Sequence, residues 1–239
     1  MNDEKEIQIE AEKNSEIGTL FVVATPIGNM EDITIRALRV LNECELIVCE
    51  DTRVAKKLLF RHSISKPLLA IPQRAADLKI RRVLELLEAG KNVALTTDAG
   101  TPGVSDPGNE VVARVIEAGF CVSPVPGPSA LGALLSVAGV NTQEFVFKGF
   151  PPHKKGRETF FRAVAESTVP VVYYESPYRV IKNLELLSTL APEKRIIIGR
   201  ELTKMFEETA RGTLKSLFEH FSAKPVKGEI VLVIAGRGK

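Results

Sequence analysis

Short apolar runs alternate with amphipathic stretches through the first 140 residues of the chain. Strands are predicted over 20–24, 46–49, 68–71, 93–96 and 121–125. Between them, apolar positions recur every three or four residues and predict helices over 34–42, 54–61, 77–89, 109–118 and 129–138. Strand and helix units in strict succession argue for a mostly parallel sheet with helices on both faces. Gly139-Val140-Asn141-Thr142 breaks the pattern and marks a domain boundary. Beyond it come strand runs at 145–147, 169–174, 195–199, 208–212 and 230–234, with helices over 157–166, 179–190 and 214–221. Several of these strands follow one another too closely for strand–helix–strand crossovers, so the second sheet is expected to be mixed. The resulting expectation is an α/β chain with domains over 18–140 and 141–239, preceded by a tail at 1–17.

Three strand ends lead into loops rich in Gly and Pro: Thr25-Pro26-Ile27-Gly28-Asn29, the stretch Asp98-Ala99-Gly100-Thr101 running on to Ser105-Asp106-Pro107, and Pro126-Gly127-Pro128-Ser129-Ala130. In a parallel α/β sheet, ligands bind outside the carboxyl ends of the strands, so these loops are the expected rim of one pocket. Glycine allows a ligand to approach the backbone, and proline stiffens the flanking turn. None of the loops carries the glycine spacing of a dinucleotide site or of a P-loop. Proline in all three removes amide donors that a phosphate nest would use. A ligand with few phosphates fits better. S-adenosylmethionine, an adenosine joined to a zwitterionic amino acid, needs backbone donors, small residues and one or two carboxylates. The expected cofactor contacts are Pro26, Gly28, Asp98, Ala99, Gly100, Thr101, Ser105, Asp106, Pro126, Gly127, Ser129 and Ala130.

Composition narrows the class. Of 239 residues, 44% are hydrophobic and 26% charged, the profile of an ordinary globular protein. No apolar run approaches the ~20 residues that span a bilayer. The first residues are acidic and lack the apolar core of a secretory signal, so a cytoplasmic location is expected. The net charge of +2 hides an asymmetry: residues 1–16 hold six acids against two lysines, which leaves the remainder at +6. A modestly basic body is compatible with RNA as a partner. Cys44, Cys49 and Cys121 have no paired spacing and sit in apolar or small-residue surroundings; with three scattered histidines they predict buried free thiols and no metal site.

Eight motifs in order carry a resemblance: T-P-I-G-N from Thr25, E-D-T-R from Glu50, D-A-G-T-P-G-V-S-D-P-G from Asp98, P-G-P-S-A from Pro126, G-F-P-P-H-K-K-G-R from Gly149, Y-E-S-P-Y-R from Tyr174, R-E-L-T-K from Arg200 and K-G-E from Lys227. Together they resemble the bacterial family of small-subunit ribosomal RNA cytidine 2′-O-methyltransferases, within the tetrapyrrole-methylase-like superfamily, from Gly18 to about Ile234. The resemblance implies that superfamily's two-domain α/β fold, with a mostly parallel N-terminal sheet and a mixed C-terminal one. It also implies S-adenosylmethionine bound in a cleft between the halves, methyl transfer to the ribose of a cytidine in the decoding region of 16S ribosomal RNA, action on that RNA or the small subunit, and a homodimer. Two positions depart from the family. Ile71-Pro72-Gln73-Arg74-Ala75-Ala76 replaces its usual His- and Asn/Glu-rich stretch, and Tyr178 stands where a His is common. Neither imidazole is therefore essential to chemistry here.

Methyl transfer from a sulfonium to a hydroxyl is an in-line displacement, in which positioning supplies much of the acceleration. A ribose hydroxyl is a weak acid, so a proton acceptor or a cation beside the developing alkoxide is needed. Glu201 and Lys204, three residues apart just past a strand, are the first candidates, sharing one face if the segment is helical. Glu175 and Asp51 follow. RNA contacts are expected from Asp51, Arg53, the basic loop with Lys154, Lys155 and Arg157, and from Tyr178, Arg179 and Arg200; Tyr173, Tyr174 and Tyr178 are the chain's only tyrosines and suit stacking on a splayed base, although strand alternation assigns some of them to the core. Two alternatives stay open: a methyltransferase acting on a tetrapyrrole or another small molecule, which needs a large pocket for a planar polycarboxylate, and a ligand-binding protein without catalysis.

Overall fold

The computed structural model describes residues 17–71 and 76–236. The acidic segment at 1–16 and most of the replaced stretch at 72–75 lie outside the described residues. The chain divides into two compact units, one made of the residues up to Thr25 with Ile33–Gly127, the other of Pro26–Asp32 and the chain from Pro128 onward.

In the first unit β1 (Thr19–Val23), β2 (Leu46–Cys49), β3 (Leu68–Ala70), β4 (Val93–Leu95) and β5 (Cys121–Val125) form one all-parallel sheet in the order β3-β2-β4-β1-β5. The helices are α1 (Ile35–Glu43), α2 (Thr52–Arg61), α3 (Ala76–Glu88) and α4 (Gly108–Glu117). Alternation along each strand supplies a core to both faces. Val93 and Leu95 of β4 pack with Ile80, Val83 and Leu87 of α3 and Val111 and Val115 of α4, while Ala94 between them faces Ala37 and Leu41 of α1 and Leu58 and Leu59 of α2. Cys44 and Cys49 are buried and burial pushes both thiols up to about 11; Cys121 is half-buried, and all three are free.

The second unit holds α5 (Ala130–Val137), β6 (Val146–Phe147), α6 (Arg157–Glu166), β7 (Val171–Glu175), α7 (Val180–Leu190), β8 (Arg195–Arg200), β9 (Glu208–Thr213), α8 (Leu214–Ser222) and β10 (Ile230–Ile234). Its sheet runs β6-β7-β10-β8-β9 and is mixed as expected: β6 pairs parallel with β7, and the other neighbours are antiparallel. Ile196 and Ile198 of β8 face α6, α7 and α8, whereas Ile197 faces Leu134 and Ala138 from α5 and its cap. The packing of α5 places the division at Gly127, one helix before the break at Gly139. Its sequence, Ala-Leu-Gly-Ala-Leu-Leu-Ser-Val, is apolar on nearly every side, so periodicity does not say which sheet it covers. No helix among the described residues is long and apolar enough to cross a membrane.

Candidate active site

In the first unit the chemistry-bearing residues gather at the carboxyl edge of the sheet. Thr25, just past β1, donates its N–H to Gly100 O (2.9 Å) and accepts from Gly100 N–H (3.1 Å); its hydroxyl donates to Thr97 O at 3.1 Å. This stitch joins the loops that follow β1 and β4, and Gly100 closes it at φ +87°, a left-handed conformation that suits glycine. Farther along, the Asp106 carboxylate accepts the N–H groups of Gly103 and Gly108, each at 2.8 Å. Asp106 thus staples its own loop, with both oxygens committed there. Asp98, Ala99 and Ser105 are exposed and Thr101 is half-buried. At the end of β5, Pro126 and Gly127 are also exposed, and Gly127 lies so close to the sheet that a Cβ on it would come within 3.0 Å of Ala24 Cβ.

A chain of carboxylates links β2 to β4. Glu50 accepts from the Thr97 hydroxyl and from Asp98 N–H (3.4 Å), and Asp98 accepts from Asp51 N–H (3.2 Å). Asp51 in turn caps α2, accepting Arg53 N–H at 2.8 Å and Arg53 Nε at 3.0 Å. Hydrogen bonds from Arg53 hold the Asp51 carboxyl down at about 2, whereas burial chiefly raises that of Asp98. Asp51 is therefore an anion occupied by its own helix, and Asp98 is the freer acceptor for a ribose hydroxyl or an ammonium group. The rim offers small residues and one such carboxylate. Of the other expected cofactor contacts, Pro26, Gly28, Ser129 and Ala130 belong to the second unit.

There, the Pro26–Asp32 loop packs on the segment after β8. A Cβ on Gly28 would sit 2.4 Å from Lys204 Cγ, and Asn29 N–H donates to Thr203 Oγ1 at 3.0 Å. Lys204 Nζ lies 2.8 Å from Glu201 Oε1 and 3.1 Å from Glu229 Oε2. The segment is not helical: Glu201 and Thr203 adopt φ of +51° and +66°, and a turn closed by Lys204 N–H to Glu201 O (3.0 Å) brings the two side chains together. Strained non-glycine backbone of this kind persists where its surroundings over-determine it, and functional sites are frequent among such places. Burial pulls the Lys204 ammonium down, but hydrogen bonds to Glu201 and Glu229 outweigh it and leave its pKa above the ordinary value. Lys204 therefore acts as a cation, and the bond it donates holds the Glu201 carboxyl low. Glu229, in the K-G-E motif, lies 25 residues from Lys204, and no local pattern links the two. Only the fold of the sheet brings the two together.

The other expected residues are scattered in role. Glu175 is buried at the end of β7, its side chain 0% exposed, accepting from Ser176 N–H (2.7 Å) and from the Asn183 amide, with Arg179 at 3.5 Å. Burial raises its pKa. Buried there, its carboxylate is held among Ser176, Asn183 and Arg179. Arg157 donates to Asn183 Oδ1 (2.7 Å) and Lys182 O (3.0 Å), Arg179 to Pro151 O (3.1 Å), and Arg200 to Glu208 Oε2 (2.9 Å). Lys154 and Lys155 are exposed. Tyr173 is core, Tyr174 packs on Phe147 and Phe150, and Tyr178 is 96% exposed.

Comparison with known proteins places the chain in a family. The family model described as Tetrapyrrole (Corrin/Porphyrin) Methylases matches residues 19–217. The chain is 40% identical to the ribosomal RNA small subunit methyltransferase I of Thermotoga maritima over 92% of its length and all of the relative's. It is 43% identical to the protein of that name from Hydrogenobaculum over 90% of its length and 95% of the relative's. For Leptospira biflexa the figure is 46% over 81% of each chain. Solved structures with the same fold include a cobalamin biosynthetic enzyme, cobalt precorrin-4 methyltransferase (TM-score 0.67, 17% identity, 90% of this chain and 94% of the other). Uroporphyrin-III C-methyltransferase from Thermus thermophilus shares it too (TM-score 0.62, 20% identity, 91% and 94%).

Proposed function

We infer that this chain, which belongs to the tetrapyrrole (corrin/porphyrin) methylases and within them to the group named ribosomal RNA small subunit methyltransferase I, transfers a methyl group from S-adenosylmethionine to the ribose 2′-hydroxyl of a cytidine in 16S ribosomal RNA. The observation that carries the reading is identity of 40% over 92% of the chain with a protein of that name, in a chain that has the Glu201–Lys204 pair and the stitched loops at the carboxyl edge of a parallel sheet. S-adenosylmethionine, when bound, supplies an electrophilic methyl group. Asp98, Ala99, Gly100, Thr101, Pro126 and Gly127 would hold it through small surfaces, backbone groups and the Asp98 carboxylate. Lys204, a cation between two carboxylates, would stabilise the alkoxide that develops as the hydroxyl attacks; being charged, it does not take the hydroxyl proton, which passes to solvent water. Lys154 and Lys155 attract phosphates, and Tyr178 stacks on a base. The reading carries with it a cytoplasmic location and a homodimer.

Transfer of labelled methyl groups from S-adenosylmethionine to small ribosomal subunits, naked small-subunit RNA and a uroporphyrinogen-type tetrapyrrole tests it directly. Label in the ribose of a single cytidine is expected. Label in the tetrapyrrole alone, or cofactor binding with no transfer, overturns it. Gly100→Val forces a branched residue into φ +87° and removes the close approach, so cofactor binding is lost while the protein stays folded. Wild-type affinity in calorimetry would move the cofactor elsewhere.

A further inference from the structure

From Thr52 to Ala76 the sequence contains no acidic residue, yet it holds Arg53, Lys56, Lys57, Arg61, Lys66 and Arg74. Most of the described cations among these lie on α2. Its buried side is Ala55, Leu58 and Leu59. The opposite side is Arg53, Lys56, Lys57, Phe60 and Arg61, all exposed and spaced i, i+3, i+4, i+7 and i+8, one continuous stripe of a helix. At 1.5 Å per residue the stripe is about 12 Å long. Arg53 is bound to Asp51; Lys56, Lys57 and Arg61 have no salt bridge to a described residue. Phe60, between the cations, is 87% exposed. Beside it, Leu59, Phe60, Ile64 and Leu68 with Lys56 and Lys66 line a groove of about 810 Å³.

Like charges placed together without counter-charges repel one another, and an exposed phenyl ring leaves apolar area in water. Neither feature helps the isolated unit. A polyanion carrying planar rings relieves both at once. We propose that the outer face of α2 is a docking surface for single-stranded RNA, with phosphates along Lys56, Lys57 and Arg61 and one unstacked base against Phe60. The proposal rests on the RNA-methyltransferase reading and adds to it a surface made of residues to which that reading gives no role. A basic groove with an interleaved aromatic is the arrangement by which proteins hold single strands without reading their sequence.

The test uses the full chain with two variants, Lys56→Ala/Lys57→Ala/Arg61→Ala and Phe60→Ala, and a single-stranded fragment of small-subunit RNA as the ligand. Three lost phosphate contacts flatten the dependence of log K on log salt by about 2, at 0.7 per contact on a single strand, and weaken binding roughly tenfold to a hundredfold near 0.1 M salt. Phe60→Ala weakens it about tenfold with the slope unchanged. Replacing the two lysines by arginine restores binding. Both variants keep wild-type S-adenosylmethionine affinity. A triple variant with wild-type affinity and slope overturns the surface while leaving the methyltransferase reading intact. A change in oligomeric state with RNA binding unaltered assigns the face to a second copy of the chain and also overturns it. A wild-type protein that neither binds nor methylates RNA defeats the underlying reading first.

Discussion

Arg157, Arg179 and Arg200 in the second unit each donate to an oxygen of their own chain, whereas Lys56, Lys57 and Arg61 in the first unit project from α2 with no salt bridge to a described residue. From the sequence both sets look alike: basic residues near the ends of strands or on short helices. The difference is what lies opposite. In the second unit, Glu175 and Glu208 and the carbonyls of Pro151 and Lys182 meet the guanidinium groups. Arginine's planar fork suits it to such multiple bonds, and the charge becomes part of the framework. On α2, sequence neighbours of the cations are other cations. Of these two sets, the compensated arginines read as framework and the uncompensated cations of α2 as groups open to a ligand.

The largest test of that contrast is Glu175→Ala. It removes the acceptor around which Ser176, Arg179 and Asn183 are arranged and leaves their polar groups buried without a partner. A cost of about 3 kcal/mol or more is expected. That corresponds to a fall in melting temperature of roughly 6–12 °C for a chain of this size. The triple substitution on α2 should leave melting within a degree or two, because its side chains make no salt bridge to a described residue. If Glu175→Ala melts like the wild type, the second unit's arginines are not framework and the contrast fails.

Lys204 mixes the two kinds: it is paired, but in a strained turn. Lys204→Ala should lower the single-turnover methylation rate about 100-fold, near 2.7 kcal/mol, while cofactor and RNA affinities stay within a few-fold. A loss confined to KM would make Lys204 a binding group. Near-wild-type rates would assign the pair to structure. A smaller effect is expected at Arg157→Ala. Loss of its bonds to Asn183 and Lys182 costs about 1–2 kcal/mol of stability, while the salt slope of RNA binding is unchanged. A flatter slope would return Arg157 to the substrate contacts.

How far the sequence reveals this molecule depends on the range of the interactions involved. Ile196-Ile197-Ile198 and Ile230-Val231-Leu232-Val233-Ile234 announce strands because a sheet covered on both faces needs apolar residues at every position. The mixed second sheet followed from spacing alone. The sheet under α5 did not, since an apolar helix satisfies either face. Glu201 and Lys204 were expected together on helical geometry; a turn with two left-handed residues joins them, a conformation that nothing in Glu-Leu-Thr-Lys predicts. Glu229 and Asn183 were missed as partners because their bonds to Lys204 and Arg157 span 25 and 26 residues. The engagement of Asp106 by Gly103 and Gly108 is local, and the Gly-Val-Ser-Asp-Pro-Gly run already contained it as a turn signal.

The finest probe of paired against unpaired charge is Asp51, whose two roles, helix cap and partner of Arg53, separate on changing it to Asn. Asn still accepts the Arg53 N–H, so the cap of α2 survives and only the charge is lost. The carboxyl titrates at about 2 in the folded chain against an ordinary 3.8. Between those values the unfolded chain binds more protons than the folded one, so stability rises with pH through this window. The contribution of Asp51 is fully present above about pH 4 and disappears as pH falls through its folded value. Melting temperatures measured from pH 5 to pH 2 should therefore drop less steeply for Asp51→Asn than for wild type, with the two curves converging at the acid end. The separation is small, because the pair is exposed to solvent and Arg53 is 86% accessible. Parallel curves would show that Arg53 stabilises α2 through its backbone alone. Arg53 would then join Lys56, Lys57 and Arg61 among the charges available to RNA.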